Sequence, residues 1–379
     1  MKNRKENMST DKKLNGLILS DLHLTIPKAE LKQFNTEDAE YAIQQIKQLT
    51  TSVSDGIKVA PRAAASAPPF DFFVIAGDVF DSMTIDSTSI NLLCKLRDAL
   101  QTIPEGYVIR GNHDRATHSI LEDLFGWKAL KPDEITYVRN SNITISGIDF
   151  CNDEKHREYL KAAPTDIMVL HLSMKPFGGF SDDGITVQEC PTDRVVIVGD
   201  THINDVYMKD DRCVLSPGNL FPLNKAELTS GTSGTGFILT IGKDNDGLDV
   251  DVSPFRLNSR KGASLTSIET PDGLLNSLEL SRLREPSECK LKPVVYVRPE
   301  LVEFIPPDVV AIGRSVVTEV TSDTVAIASV DDSGIVDRIQ ASLLKLFEGD
   351  AAASDLTAFA LDLISADEPA DVAEDFIKH

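Results

Sequence analysis

The sequence predicts an α/β fold: a two-sheet sandwich flanked by helices, followed by a small α+β unit and closing C-terminal helices. Three observations carry that prediction. Short apolar runs without alternation recur through the first half of the chain, the pattern of strands buried on both faces. Amphipathic helical stretches separate the first of these runs. Each run also ends in Asp, His or Asn. In an open α/β sheet the C-terminal strand edge is where loops converge on one crevice, so these polar residues are expected to meet.

The elements follow in order. Leu14 to Ser20 reads as a strand ending in Asp21-Leu22-His23, after a polar tail over residues 1–13. A helix is expected from Thr36 to Leu49, with Ala39, Ile43 and Ile46 on one face. The Ser-, Ala- and Pro-rich stretch from Thr51 to Pro69 reads as an inserted loop. Phe72 to Ala76 is a second strand, running into Gly77-Asp78-Val79-Phe80-Asp81, and a helix follows from Thr88 to Leu100. Tyr107 to Ile109 leads into Arg110-Gly111-Asn112-His113-Asp114, Ile167 to Leu170 into His171, and Val195 to Val198 into Gly199-Asp200-Thr201-His202. From Val206 to Phe255, shorter strands with Gly-rich turns are expected to complete a second sheet. This first domain spans residues 14–257. A polar linker with one helical segment and a β-branched unit (Leu291 to Val330) make a capping domain over 258–330. Residues 331–379 hold two amphipathic helices, N-capped by Ser333 and Ser354, and an acidic tail. Their apolar faces either pack on their own domain or await a partner.

Composition narrows the function. No apolar run approaches the roughly 18 residues of a membrane span, and the polar N-terminus lacks the core of a signal peptide. Cys94, Cys151, Cys190, Cys213 and Cys289 are scattered without a CxxC pair, which indicates neither a zinc knuckle nor a disulfide framework and fits buried or half-buried thiols in a reducing cytoplasm. The net charge of −21 is only partly local to the tail: nine acids and one lysine lie from Glu348 onward. A protein that grips DNA through its own surface usually shows a basic face. A polyanionic substrate would therefore need metal ions or a basic partner to offset the repulsion.

The strand-end residues carry a definite chemistry. Carboxylate and carboxamide oxygens suit hard divalent cations, and imidazole adds nitrogen ligation suited to manganese, iron or zinc. In Asp21-x-His23 an extended chain would point both side chains the same way. Asp78 could bridge two ions, and Asn112, His171 and His202 add further donors. Two ions about 3.5–4 Å apart can clamp a phosphoryl group for in-line attack. Of the seven histidines, His118, His156 and His379 lack ligand spacing and read as ordinary surface or helix residues.

The ordered series DxH, GDxxD, GNHD, His and GDxH resembles the calcineurin-like metallophosphoesterase superfamily. Within it, GDVFD, GNHD and Ser216-Pro217-Gly218-Asn219 look like the SbcD-type nuclease subunit and its bacteriophage recombination-endonuclease relatives. The resemblance implies that Asp21, His23, Asp78 and His202 hold one metal, with Asp78 bridging. Asn112, His171 and Asp200 would hold the second, most readily Mn²⁺. His113 would protonate the leaving oxygen, Asp114 would orient its ring, and Asp81 would support the site rather than ligate. The family motif places His where this chain has Asp200, which adds a negative charge and weakens the second metal as a Lewis acid.

The same resemblance implies a DNA substrate, a coiled-coil ATPase partner of the SbcC kind docked by the C-terminal helices, and a homodimer. Two rival functions stand beside that reading: a small-molecule phosphatase or nucleotide phosphodiesterase, and a scaffold that has lost catalysis.

Overall fold

The computed structural model describes residues 13–24, 35–51, 58–59, 70–80, 87–114, 121–122, 125–139, 141–178, 184–223, 225–244, 247–260, 262–265, 283, 289–297 and 314–317. Residues 1–12 of the expected tail, Asp81, His118, His379 and the two expected C-terminal helices lie outside them.

The chain opens with β1 (Leu14–Leu19), α1 (Asn35–Thr51), β2 (Lys58–Val59), β3 (Phe72–Ala76), α2 (Ser87–Leu100), β4 (Glu105–Ile109) and β5 (Lys128–Ala129). Then come β6 (Thr136–Tyr137), β7 (Thr144–Ile148), α3 (Asp153–Ala162), β8 (Ile167–His171), β9 (Arg194–Gly199), β10 (Asn204–Lys209) and β11 (Arg212–Pro217). Last are α4 (Lys225–Ser230), β12 (Thr235–Lys243), β13 (Leu248–Arg256), β14 (Gly262–Leu265), β15 (Val294–Val297) and β16 (Arg314–Val317). Among the described residues these form a seven-stranded sheet, β2-β13-β12-β1-β3-β4-β5, and a six-stranded sheet, β10-β11-β9-β8-β7-β6. A three-stranded parallel sheet, β14-β15-β16, stands beside them.

Alternation along each strand explains the unbroken apolar runs. Phe72, Val74 and Ala76 of β3 face the interior between the two sheets, where they meet Ile167, Val169, Val195 and Ile197. Phe73 and Ile75 point the other way, onto Ile43 and Ile46 of α1 and Leu92, Leu93 and Leu96 of α2. On the second sheet, Met168, Leu170, Val196 and Val198 turn outward onto Tyr159 and Leu160 of α3. Each strand is thus apolar on both faces because both are covered. Burying one such side chain contributes roughly 1.5–3 kcal/mol, so the layer order is strongly specified.

Three expectations change. β10 and β11 do join the second sheet, but β12 and β13 are long strands of the first, with β12 antiparallel to β1. β14 falls in the stretch expected to be a polar linker, so the strand content there begins earlier than the β-branched run suggested. His156, read as an ordinary surface or helix residue, is in a helix but wholly buried.

Candidate metal centre

The site forms where the C-terminal ends of both sheets meet. β1, β3 and β4 are parallel neighbours in one sheet, and β8 and β9 in the other. Their loops bring Asp21, His23, Asp78, Asn112, His113, Asp114, His171, Asp200 and His202 together.

Tight backbone geometry makes this convergence possible. Asp21, His23, Asp78, Asp200 and His202 all have positive φ, between 41° and 91°. That region is uncommon for residues other than glycine and costs on the order of 1–3 kcal/mol each. Five such residues at one strand edge are held by the surrounding core, as strained residues at functional sites commonly are. The motif glycines allow close approach: a Cβ on Gly111 would stand 1.9 Å from Asp78 Oδ1, and one on Gly77 2.2 Å from His171 Nδ1.

The donors form two overlapping sets. Ligand atoms of Asp21, His23 and His202 lie within 4.8 Å of one another, as do those of Asp21, Asp78 and His171. Asp78 Oδ2 stands between the sets, 3.7 Å from His23 Nε2 and 3.4 Å from His171 Nε2. Asp200 Oδ1 is 3.7 Å from His171 Nε2, and Asn112 Oδ1 is 3.0 Å from it. Thus all seven metal ligands expected from sequence converge on one centre.

Hydrogen bonds fix which lone pairs point inward. His171 Nδ1 donates to the Ala76 carbonyl at 2.8 Å, so a neutral ring turns a bare Nε2 toward Asn112, Asp78 and Asp200. His202 Nδ1 donates to Glu227 Oε1 at 3.0 Å, leaving its Nε2 toward Asp21 and 3.2 Å from His23 Nε2. Such a set of lone pairs is repulsive unless a cation sits among them. The electrostatics agree. Burial pushes the His171 pKa down, but Asp78 and Asp21 outweigh it and raise it to about 10. His202 is raised in the same sense, burial being outweighed by Glu227 and Asp21. Burial pushes the Asp21 carboxyl above its usual range despite three nearby imidazoles. Burial also penalises Asp78, yet His171, His23 and the His113 amide hold it below that range. A pocket that binds protons this firmly fits divalent cations, which would displace those protons on binding.

His113 and Asp114 sit at the rim of the donor sets. The His113 amide donates to Asp78 Oδ1 at 3.0 Å, and its ring meets that of His23 edge-on at 5.3 Å. Asp114 accepts from the amides of Val79, Phe80 and Gly111 at 3.0–3.1 Å, tying the GDVFD and GNHD loops together. Burial raises its pKa, with those amides pulling the other way.

Sequence reasoning missed Glu227 and Ser173. Glu227 lies on the short α4, where Asn219 Nδ2 and the Leu223 amide donate to Oε2 at 2.6 and 2.8 Å and leave Oε1 for His202. A carboxylate behind a ligand imidazole fixes its tautomer and raises its basicity. The Ser216-Pro217-Gly218-Asn219 motif was the available signal, since Asn219 is the residue that holds Glu227. Ser173 donates to Asp200 Oδ2 and orients that carboxylate from the loop after β8.

The calcineurin-like phosphoesterase family model matches residues 16–204, which hold every one of these strand-end motifs. The chain belongs to the calcineurin-like phosphoesterase superfamily. It is therefore a metal-dependent phosphoesterase, a hydrolase. No curated protein matches the chain. Among solved structures it is similar to the phosphoesterase Yfce from E. coli, at 11% identity over 63% of this chain and 98% of that one, TM-score 0.32. It is also similar to a putative 5'-nucleotidase from Staphylococcus aureus, at 13% identity over 65% of this chain and 54% of that one, TM-score 0.38. A third is Vacuolar Protein Sorting 29 from Cryptosporidium parvum, at 11% identity over 65% of this chain and 100% of that one, TM-score 0.30. Likenesses of this size carry no functional weight. Among the described residues, no helix of this phosphoesterase is long and apolar enough to cross a membrane.

Proposed function

We propose that this phosphoesterase is the nuclease subunit of an SbcCD-like recombination and repair complex. It would hydrolyse DNA phosphodiesters from 3′ to 5′, with endonuclease activity in addition. The observation that supports this reading best is the integration of Ser216-Pro217-Gly218-Asn219 into the centre. Asn219 holds Glu227, Glu227 holds His202, and Ser216 pairs with Thr201 of the Gly199-Asp200-Thr201-His202 loop at 2.7 Å. The motif on which the likeness to this nuclease type rests is therefore joined by hydrogen bonds to the candidate centre.

Two divalent ions, Mn²⁺ in this proposal, would supply positive charge to the phosphoryl oxygens and lower the pKa of the attacking water. Asp21, His23, Asp78 and His202 would hold one, and Asn112, His171 and Asp200 the other. Asp200 would make the second ion the weaker Lewis acid of the two. His113 donates a proton to the leaving oxygen as the phosphorus–oxygen bond to it breaks and the bond to water's oxygen forms. The hydrogen bond that its backbone amide donates to Asp78 fixes the loop beside the donors, and Asp114 holds the same loop through Gly111.

The net charge of −21 bears on the partners. The isolated chain would bind DNA weakly, and a coiled-coil ATPase docked on residues 331–379 would supply basic surface. The same charge favours a second reading, a phosphatase or nucleotide phosphodiesterase acting on a small molecule. Incubation with labelled double-stranded DNA and Mn²⁺, beside EDTA and His113→Ala, separates them. Nucleotide release by the wild type alone supports the nuclease. Intact DNA even with an ATPase partner present, alongside turnover of p-nitrophenyl esters or cyclic nucleotides, selects the small-molecule enzyme.

A further inference from the structure

Three of the six exposed large hydrophobic residues among the described ones lie on or beside a single strand. They are Ile203 at 47% exposure, Val206 at 37% and Met208 at 50%. Val206 and Met208 belong to β10, an edge strand of the second sheet among the described residues in which no residue is buried, and Ile203 directly precedes it. In the register with β11, Val206 lies opposite Leu215 and Met208 opposite Cys213, both of which face the interior between the sheets. The apolar face of the core thus runs on past its last covered strand. Tyr207, on the other face, lies opposite Val214 and packs on the outer cluster.

The backbone of β10 is oriented for a further strand. Asp210 and Asp211, with φ of 53° and 56°, make a two-residue turn flanked by Lys209 and Arg212. The flanking pair of such a turn is hydrogen-bonded, so Asp205, Tyr207 and Lys209 exchange bonds with β11 while Val206 and Met208 direct theirs to the open edge. In agreement, the Val206 amide donates at 2.8 Å to the side chain of its own neighbour, Asp205.

The sequence across this edge is self-complementary. An antiparallel copy of β10 centred on Tyr207 sets Asp205 against Lys209 twice and Val206 against Met208 twice. It also satisfies the hydrogen-bond parity, because Val206 and Met208 are the residues whose amides and carbonyls face outward. Centring on Met208 instead would oppose Asp205 with Asp211, and centring on Val206 would oppose Asp205 with Tyr207. A lysine on an edge strand ordinarily discourages pairing with arbitrary strands. In this register it meets an acid.

We propose that two copies of this chain associate through β10, antiparallel about a two-fold axis through Tyr207, to make one sheet continuous across both. On pairing, the Val206 amide passes from the Asp205 carboxylate to the Met208 carbonyl of the other copy, and the freed carboxylate meets Lys209 there. Such an isologous contact closes on itself and leaves no further edge of this sheet end exposed.

Sedimentation and light scattering of the full chain test it. The wild type should be dimeric. Asp205→Lys or Lys209→Asp alone places like charges together at both ends of the contact and should weaken the dimer by about tenfold or more. The combined swap should restore it. As a second measurement, Tyr207→Cys should form a disulfide between copies on oxidation, mapped to residue 207 by mass spectrometry. A monomeric wild type, single reversals that leave the dimer intact, a swap that fails to restore it, or absence of the cross-link would each overturn the proposal.

Discussion

Two buried polar clusters in this molecule have opposite characters. Where the chain leaves β13, Arg260 is wholly buried, and its guanidinium meets Asp38 at 2.9 and 3.2 Å, Glu37 at 2.8 Å and the Lys292 carbonyl at 2.7 Å. Donors and acceptors match there, and the chain supplies its own cation. At the strand edge, Asp21 and Asp78 are buried as deeply, but among the described residues only imidazoles stand within ion-pair distance of them. His171 and His202 turn their Nε2 atoms inward, and His171 holds a proton that a cation would displace. The first cluster is complete as folded and fastens α1 to the start of the third sheet. The second is complete only with added positive charge. Burial alone therefore does not mark a functional site; the direction of the lone pairs does.

The contrast is most sharply tested by charge removal. Asp21→Asn should lower phosphoester hydrolysis on the order of 10⁴-fold, since each 1.36 kcal/mol of lost stabilisation is tenfold in rate. The metal-free protein should keep or gain stability in urea, because burial already holds the Asp21 carboxyl above its usual pKa. Arg260→Ala should do the reverse. It should leave the metal centre's chemistry in place while costing about 3–5 kcal/mol of stability in the same urea titration, as Asp38 and Glu37 lose their cation. Replacing Arg260 by Met together with Asp38 by Leu should recover most of that loss.

Smaller effects sharpen the picture. Glu227→Gln keeps an acceptor near His202 but removes the charge, and calorimetry should show roughly 10- to 100-fold weaker metal affinity with little change in melting. His156 gives the smallest. Burial is the main cause that depresses its pKa to about 4, aided by His171 and opposed by Asp153. The unfolded chain therefore takes up this proton first. The stability from neutral His156 is full above pH ~6.5 and is lost as pH falls toward 4, amounting to about 1–2 kcal/mol between pH 7 and 5. Stability curves of His156→Leu should be flatter over that window; an unchanged pH slope would show that His156 is not the titrating group.

Much of this was legible in the sequence, for local reasons. Apolar runs such as Phe72–Ala76 and Ile167–Leu170 are strands with both faces covered, and the motif residues follow them directly. What was not legible depends on distant partners. Nothing local in β12 tells that it pairs with β1, some 220 residues earlier in the chain, and so belongs to the first sheet. Arg260 meets Asp38 across 222 residues, and Glu227 reaches His202 from a six-residue helix too short to announce itself. His156 precedes Tyr159 and Leu160 by three and four residues and so shares the buried face of its helix, a placement that a histidine's own polarity disguised.

The claim that most of this rests on is that the strand-edge cluster is a two-cation site. Calorimetric titration of chelator-treated protein with Mn²⁺ tests it directly. Two ions should bind per chain, the second more weakly, with proton release as His171 and His202 give up theirs. One ion or none per chain would contradict the account.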